Sequence, residues 1–239
     1  GGLNVVRQTV LETAPLNAIA FYDFLQCAGN CGPYMAPGLK GFTGSGATAG
    51  SPTLRPDIWS TLTGGSAWAN LPGAAAHPFL AGEDIVGAGY VWLDATTVRW
   101  IVVRETVAGE PLKIAYSDNL GVSWNLVTVG STNTETIGGA KGFLAMDRDH
   151  LYLATTSGNV YFSSDAAETW AVQSSALTAS GADQLNAISF SDYSNGWAGG
   201  ANSSLITTHD GGANWAAVTA PATINISALH AFSKYRVII

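Results

Sequence analysis

Four segments of this 239-residue chain fall on one template, Ser/Thr-x-Asp-x-Gly-x-x-Trp, and that repeat constrains the fold more than any other feature. They are Thr61-Leu-Thr63-Gly-Gly65-Ser-Ala67-Trp68, Ser117-Asp-Asn119-Leu-Gly121-Val-Ser123-Trp124, Ser163-Ser-Asp165-Ala-Ala167-Glu-Thr169-Trp170 and Thr208-His-Asp210-Gly-Gly212-Ala-Asn214-Trp215. The tryptophans are spaced by 56, 46 and 45 residues, enough for one four-stranded sheet and too long for a single hairpin. A period of that length reads as an array of equivalent sheets. Each box has the chemistry of a tight connection between strands. The Asp or Asn side chain folds back to accept backbone N–H bonds, and the Gly two residues on takes a conformation that a β-carbon resists. The Trp restarts a strand and packs a large ring on the neighbouring sheet.

The residues between boxes support the same reading. Ahead of the fourth box, Leu185 to Phe190, Gly196 to Gly200 and Ser204 to Thr208 are short strand-like runs separated by turns. Ahead of the third, the order recurs at Gly142 to Met146, Leu151 to Thr155 and Val160 to Ser163, with turns at Asp147-Arg-Asp149 and Ser157-Gly-Asn159. No stretch carries helical periodicity with caps, so an all-β chain is expected. Leu16-Asn-Ala-Ile-Ala-Phe21-Tyr-Asp23 nearly duplicates Leu185-Asn-Ala-Ile-Ser-Phe190-Ser-Asp192, which places a first strand at Leu16. Gly1 to Thr9 is similar to Gly199 to Thr207, the passage into a third strand. Ile226 to Ser233 matches a first strand and Tyr235 to Ile239 a second.

The box resembles the Asp-box, or BNR, repeat of sialidases, sortilin-type receptors and photosystem II assembly-factor propellers. The departures are Thr63 and Asn119 in place of Asp, and Ala167 in place of Gly. The resemblance implies a β-propeller of four-stranded antiparallel blades, about five in number. The expected blades are 16–75, 83–130, 138–176, 185–220, and 226–239 together with 1–10, in one domain. Either the two ends pair and close the ring, or the sequence is a window on a longer array. The structural box residues are then Thr61, Gly65 and Trp68; Ser117, Asn119, Gly121 and Trp124; Ser163, Asp165 and Trp170; and Thr208, Asp210, Gly212 and Trp215.

Composition excludes some functions. Only 11% of residues are charged and the net charge is −7, without a Lys or Arg cluster. Binding of nucleic acid through phosphate neutralisation is therefore not expected, nor is membrane insertion, because the apolar runs are far too short to span a bilayer. Cys27 and Cys31 are the only cysteines. Their spacing allows a small disulfide loop or two free thiols, and local ligands to complete a zinc site are lacking. His77, His150, His209 and His230 are dispersed, Asp147-Arg-Asp149 is read as a solvated turn, and Glu83-Asp84 as a polar edge. Neither a metal nor an organic cofactor is expected.

The resemblance makes sialidase chemistry the enzymatic idea to test. It implies an arginine triad, a Tyr nucleophile activated by Glu, an Asp acid/base and a Tyr/Phe-Arg-Ile-Pro motif early in the chain. Here the arginines are Arg7, Arg55, Arg99, Arg104, Arg148 and Arg236, and the nearest motif is Tyr235-Arg-Val-Ile238, at the far end and without Pro. No catalysis is expected. About 20 residues look inserted in the first blade, giving a loop at approximately 27–51 that carries Cys27, Cys31, Tyr34, Met35 and Pro37 as candidate partner-binding residues. The favoured function is a structural or protein-binding module whose partners are other protein subunits, with a virion protein of a bacterial virus as the narrower form. A virion or extracellular setting is favoured over the cytoplasm. The alternatives are a photosystem-assembly-factor-like binding protein, and a glycosidase or carbohydrate-binding propeller in which loop aromatics such as Tyr34, Trp59 and Trp92 stack on sugars.

Overall fold

The computed structural model describes residues 16–22, 40–45, 58–61, 69–70, 83–104, 110–130, 135–173, 184–220 and 224–239. Four antiparallel sheets follow one another along the chain, each with its strands hydrogen-bonded in sequence order. The first contains β1 (Leu16–Tyr22), β2 (Lys40–Ser45), β3 (Ile58–Thr61) and β4 (Ala69–Asn70). The second contains β5 (Ile85–Trp92), β6 (Val98–Arg104), β7 (Leu112–Ser117) and β8 (Asn125–Val129). The third contains β9 (Phe143–Asp147), β10 (His150–Ala154), β11 (Val160–Ser163) and β12 (Ala171–Gln173), and the fourth β13 (Leu185–Phe190), β14 (Gly196–Gly200), β15 (Leu205–Thr208) and β16 (Ala216–Ala217). A two-stranded sheet, β17 (His230–Ser233) and β18 (Arg236–Ile238), comes last. Among the described residues, two three-residue 3₁₀ turns are the only helical elements.

First strands of successive sheets touch: β1 meets β5, β5 meets β9, β9 meets β13 and β13 meets β17. They therefore lie innermost, and the sheets fan outward from them as the blades of an all-β propeller. The repeat extends to hydrogen-bond register. In three blades the first strand slips at its second residue, so that Leu16 pairs with Ser45 but Ala18 with Gly44, Ile85 with Arg104 but Gly87 with Val103, and Leu185 with Gly200 but Ala187 with Gly199. A bulge at one place in each copy gives each blade the same bend.

The core lies in the seams between blades. Ile58 of the first blade packs with Ile85, Trp100 and Val102 of the second. Ile101 and Leu112 of the second meet Phe143, Leu151 and Leu153 of the third, and Tyr152 and Val160 of the third meet Ile188, Ala198 and Ile206 of the fourth. Successive residues of a second strand point into opposite seams, which is why β6 is buried at all seven positions and β14 at all five. The three later box tryptophans take equivalent places, each in the seam between its own blade and the preceding one. Trp215 is buried, whereas Trp124 and Trp170 are half-buried. Trp215 has an edge-on Phe190 ring at 6.0 Å and donates its indole N–H to Gln173 of the previous blade at 3.5 Å.

Three expectations change. Lys40–Ser45 falls inside the stretch read as an inserted loop, yet it is β2, paired with β1 and β3. Its Gly-rich sequence looks like turn, but β14 is equally Gly-rich, and small residues suit a strand pressed between two neighbours. The first strand expected over Ile226 to Ser233 is regular only at His230–Ser233. Ile226 acts instead as a buried anchor, its N–H donating to the Gly200 carbonyl at 2.8 Å and its side chain packing near Trp197 and Leu205. Trp59 and Trp92, expected in loops, lie in β3 and β5. The pairing expected for Gly1 to Thr9 lies outside the described residues.

Removing a seam tryptophan should leave a cavity in proportion to its burial. Trp215→Ala is expected to cost about 3–5 kcal/mol in urea unfolding, and Trp124→Ala and Trp170→Ala each roughly half as much.

Candidate functional site

Each box is built on a buried hydroxyl. Ser117 Oγ accepts from the Gly121 N–H at 2.8 Å and donates to Asn119 Oδ1 at 2.9 Å, while Asn119 Oδ1 accepts from the Ser123 N–H at 2.8 Å. Ser163 accepts from Ala167 N–H at 3.0 Å and donates to Asp165 at 2.8 Å, and Asp165 accepts from Thr169 N–H at 2.9 Å. Thr208, Gly212, Asp210 and Asn214 repeat the pattern at 2.9, 2.8 and 2.9 Å. The chain therefore makes a left-handed excursion at the fourth and fifth box positions. φ is 56° and 83° at Leu120 and Gly121, 57° and 75° at Ala166 and Ala167, and 71° and 91° at Gly211 and Gly212. The first box lies outside the described residues beyond Thr61, so Thr63, Gly65 and Trp68 receive no account.

A second set of carboxylates sits at the same end of the strands, because the turn from first to second strand and the boxed turn from third to fourth point the same way. Asp94 accepts from Thr96 N–H and Oγ1 and from Thr97 N–H at 2.7–2.9 Å, bonds that hold its carboxyl at about 2. Asp192 holds Ser194 and Asn195 N–H at 2.8 and 2.9 Å. Asp147 accepts from the Asp149 N–H and meets His150 Nδ1, both at 2.9 Å, so Asp147-Arg-Asp149 is a turn. The sequence marks Asp147 as part of a turn but not the three aspartates as one set, although each stands at or just beyond the end of a first strand. That alignment was the available signal.

Arg99 crosses between two boxes on this face. Its Nε and Nη2 grip the Asp118 carboxylate at 2.6 and 2.8 Å, and its Nη1 donates to the Ala166 carbonyl and Glu168 Oε1 of the next blade, both at 3.0 Å. The guanidinium lies 3.9 Å above the Tyr116 ring. Burial opposes its charge, but Asp118 and Glu168 outweigh that and raise its pKa.

At the opposite ends of the strands lie two buried polar groups. Arg104, at the end of β6, forms an ion pair with Glu83, and both are almost fully buried. The expectation that Glu83 is a polar edge is thus corrected: its carboxylate is buried and paired with a buried guanidinium. The other group is Glu135, which accepts from the Tyr161 hydroxyl and the Asn159 amide and is itself buried. Burial and then the Glu135 carboxylate push the Tyr161 phenol far above its usual range.

The other candidates do not assemble into one site. Arg99 and Arg104 stand at opposite ends of β6, roughly 17 Å apart at a strand's rise, and Arg148 reaches the Leu93 carbonyl at 3.1 Å. Arg236 is exposed on β18, while Arg7 and Arg55 lie outside the described residues, as do Cys27, Cys31, Tyr34, Met35, Pro37 and His77. His150 meets Tyr193 in a tilted pair at 4.5 Å and His209 bonds Asn195 at 3.1 Å, both on the 191–195 turn, while His230 meets Phe232 at 4.7 Å elsewhere. Among the described residues there is no group of three or more His, Cys, Asp or Glu arranged to hold a metal, and no helix long and apolar enough to cross a membrane.

This geometry defines the chain as an all-β propeller whose turns from third to fourth strand share one hydrogen-bonded box. Solved structures with the same fold include YCF48 from Cyanidioschyzon merolae, at 13% identity and TM-score 0.54, covering 87% of this chain and 68% of that one. The GH74 xyloglucanase from Xanthomonas campestris is similar at 14% identity and TM-score 0.53, over 90% of this chain and 33% of the enzyme. Hadza microbial sialidase Hz136 is similar at 14% identity and TM-score 0.51, over 80% and 47%. At these identities the likeness is one of fold. No protein-family model and no curated protein sequence matches the chain.

Two outcomes follow from the boxes. Ser163→Ala leaves buried N–H groups without an acceptor and should cost about 1–3 kcal/mol. For Asp165, burial works to raise the pKa, but bonds from Thr169 and Ser163 prevail and lower it; Asp210 is lowered chiefly by the Asn214 side chain and N–H. Their folded pKa values lie below the unfolded one, so their stabilisation is complete above about pH 4 and is lost as pH falls through the folded values. Urea midpoints should fall as pH is lowered from 5 to 2.5, and Asp165→Asn with Asp210→Asn should flatten that fall.

Proposed function

We propose that this chain is a non-catalytic propeller serving as a structural or protein-binding module in a larger assembly. The observation that carries the reading is that its buried charged side chains are occupied by the scaffold. Arg99 is committed to Asp118 and Glu168, Arg104 to Glu83, and Glu135 to Tyr161 and Asn159. A glycosidase of the retaining or inverting kind needs two carboxyl groups turned toward a substrate, and a sialidase-like site needs several arginines on one carboxylate. The fold is shared with YCF48 and with glycosidases alike, so it is compatible with a binding role and names no partner. Placement in the particle of a bacterial virus is the narrower form of the proposal, and rests on the 11% charged content and the compact later blades. A photosystem-assembly-factor-like role is a second binding form; a basic patch would support it, and the charge balance does not.

One observation favours a glycosidase as the second reading. Tyr161 and Glu135 form a hydroxyl–carboxylate pair near the face opposite the boxes, the pairing that activates a tyrosine nucleophile in sialidase chemistry. Both side chains are buried, which leaves no room for a sugar beside them.

The test is turnover of a fluorogenic sialoside and of aryl glycosides by purified protein, with a glycan array alongside. No turnover above the buffer blank is expected. Turnover that disappears in Tyr161→Phe while the fold is retained would replace this proposal with the glycosidase reading.

A further inference from the structure

The turn between β13 and β14 holds the one Asn-Gly step in the chain, Asn195-Gly196. Such a step is chemically labile, because a following residue without a β-carbon leaves its main-chain nitrogen open to approach by the asparagine carboxamide. Here that carboxamide is engaged at both ends. Asn195 Nδ2 donates to the two Asp192 carboxylate oxygens, both at 3.0 Å. These bonds fix which way the carboxamide points, so Oδ1 is an acceptor and the His209 Nδ1 beside it, at 3.1 Å, is the donor. Asp192 also accepts from the Ser194 and Asn195 N–H groups at 2.8 and 2.9 Å. With the Asn195 side chain first among them, its donors hold the Asp192 carboxyl below the usual carboxylate range.

The turn is also a junction. The Ser194 carbonyl accepts the Gly211 N–H of the fourth box at 3.0 Å, and the Ser191 N–H donates to the Asn195 carbonyl at 2.9 Å. The Tyr193 ring meets His150 of the third blade at 4.5 Å. Gly196 is buried and paired with Phe190 on one side and with Thr208 on the other. The carboxamide and the nitrogen that could attack it are thus both held by the fold. A negative charge at position 195 acts on the whole junction, because two carboxylates then face each other where two N–H···O bonds now stand.

We propose that Asn195 is a deamidation site which Asp192 and His209 hold in check in the folded chain, and whose conversion to a carboxylate loosens this turn from the fourth box. A solvent base takes the proton of the Gly196 nitrogen, which attacks Asn195 Cγ. The N–Cγ bond forms, the Cγ–Nδ2 bond breaks, and Nδ2 leaves as ammonia with a proton from water. A second water opens the cyclic imide at either carbonyl, giving aspartate or isoaspartate at 195. Closure of the ring brings Cγ to bonding distance of the Gly196 nitrogen and releases Nδ2, so the Asp192 bonds must break and the paired glycine must move. The reaction therefore waits on local opening. It needs no reactant besides water, so its failure leaves the non-catalytic reading standing.

The full 239-residue protein is incubated at mildly alkaline pH, folded and in guanidinium chloride, and conversion is located by tandem mass spectrometry with isoaspartate resolved from aspartate. Asp192→Ala and Asp192→Asn are run alongside, with circular dichroism to show that the fold is kept. In denaturant, Asn195 should convert ahead of every other asparagine and give both products. In the folded protein it should convert more slowly by about tenfold or more. Asp192→Ala should speed the folded reaction, and Asp192→Asn, which keeps an acceptor for Nδ2, should fall in between. In Asn195→Asp, hydrogen exchange at the Gly211 amide should rise while the amides of β6 stay as they were. The proposal is overturned if another asparagine converts first in denaturant, or if folded and unfolded chains convert at one rate. It is overturned equally if Asp192→Ala keeps the fold and leaves the folded rate unchanged. Unaltered exchange at Gly211 in Asn195→Asp overturns the loosening of the turn.

Discussion

A hydroxyl buried at the head of a turn cannot be left without partners, because an unmet polar group in a packed interior costs as much as the bond it forgoes. Ser117, Ser163 and Thr208 are all buried, and each meets that demand in the same way. The hydroxyl accepts the N–H four residues on, at 2.8, 3.0 and 2.9 Å, and hands its own proton to the Asn or Asp two residues on. Only a chain with two successive left-handed residues brings that N–H back. The turn that results fixes where the fourth strand starts and aims the Trp into the seam. The box is therefore a device for packing one blade on the next, and the blade arrangement depends on it.

Polar bridges between blades reinforce the apolar seams at different radii. Arg99 joins the second and third blades at the box face. Near the axis, the Asn186 side chain donates to the Ile226 carbonyl of the next segment at 3.2 Å and leaves no room for a β-carbon at Gly138 of the previous one. One residue of an inner strand thus touches both neighbours. The near-repeat of Leu185-Asn-Ala-Ile in Leu16-Asn-Ala-Ile places an asparagine at the corresponding position of β1.

Much of this was legible in the residues because each blade is a short-range object. The strands at Leu185, Gly196 and Val160 begin where alternation and turn chemistry place them, since hairpins are set by neighbours in sequence. β2 was not legible, because Gly41, Gly44 and Ser45 look the same in a turn and in a strand squeezed between two others. The partners of Arg99 were also out of reach: Ala166 and Glu168 lie 67 and 69 residues away and come together only when blades stack. The Glu83–Arg104 pair failed for another reason. Glu83-Asp84 at the mouth of a strand looks solvated, and only the third dimension shows a guanidinium beside it. The box side chains were nameable from the motif, whereas the polar groups near the other face carry no local pattern at all.

The acidic balance has an architectural explanation that bears on what the surface can recognise. Asp94, Asp147, Asp165, Asp192 and Asp210 each hold a turn at one end of the strands, and Asp118 and Glu168 hold Arg99 there. A repeat that spends a carboxylate on each turn accumulates negative charge on one face whatever the protein binds. The potentials of these carboxylates sum over the face even though each group is hydrogen-bonded, and Arg99 offsets part of that charge beside Asp118 and Glu168. Their oxygens are engaged by N–H groups, and among the described residues no group of three or more His, Cys, Asp or Glu is arranged to hold a metal. The charge of this face is thus set by the repeat of its turns.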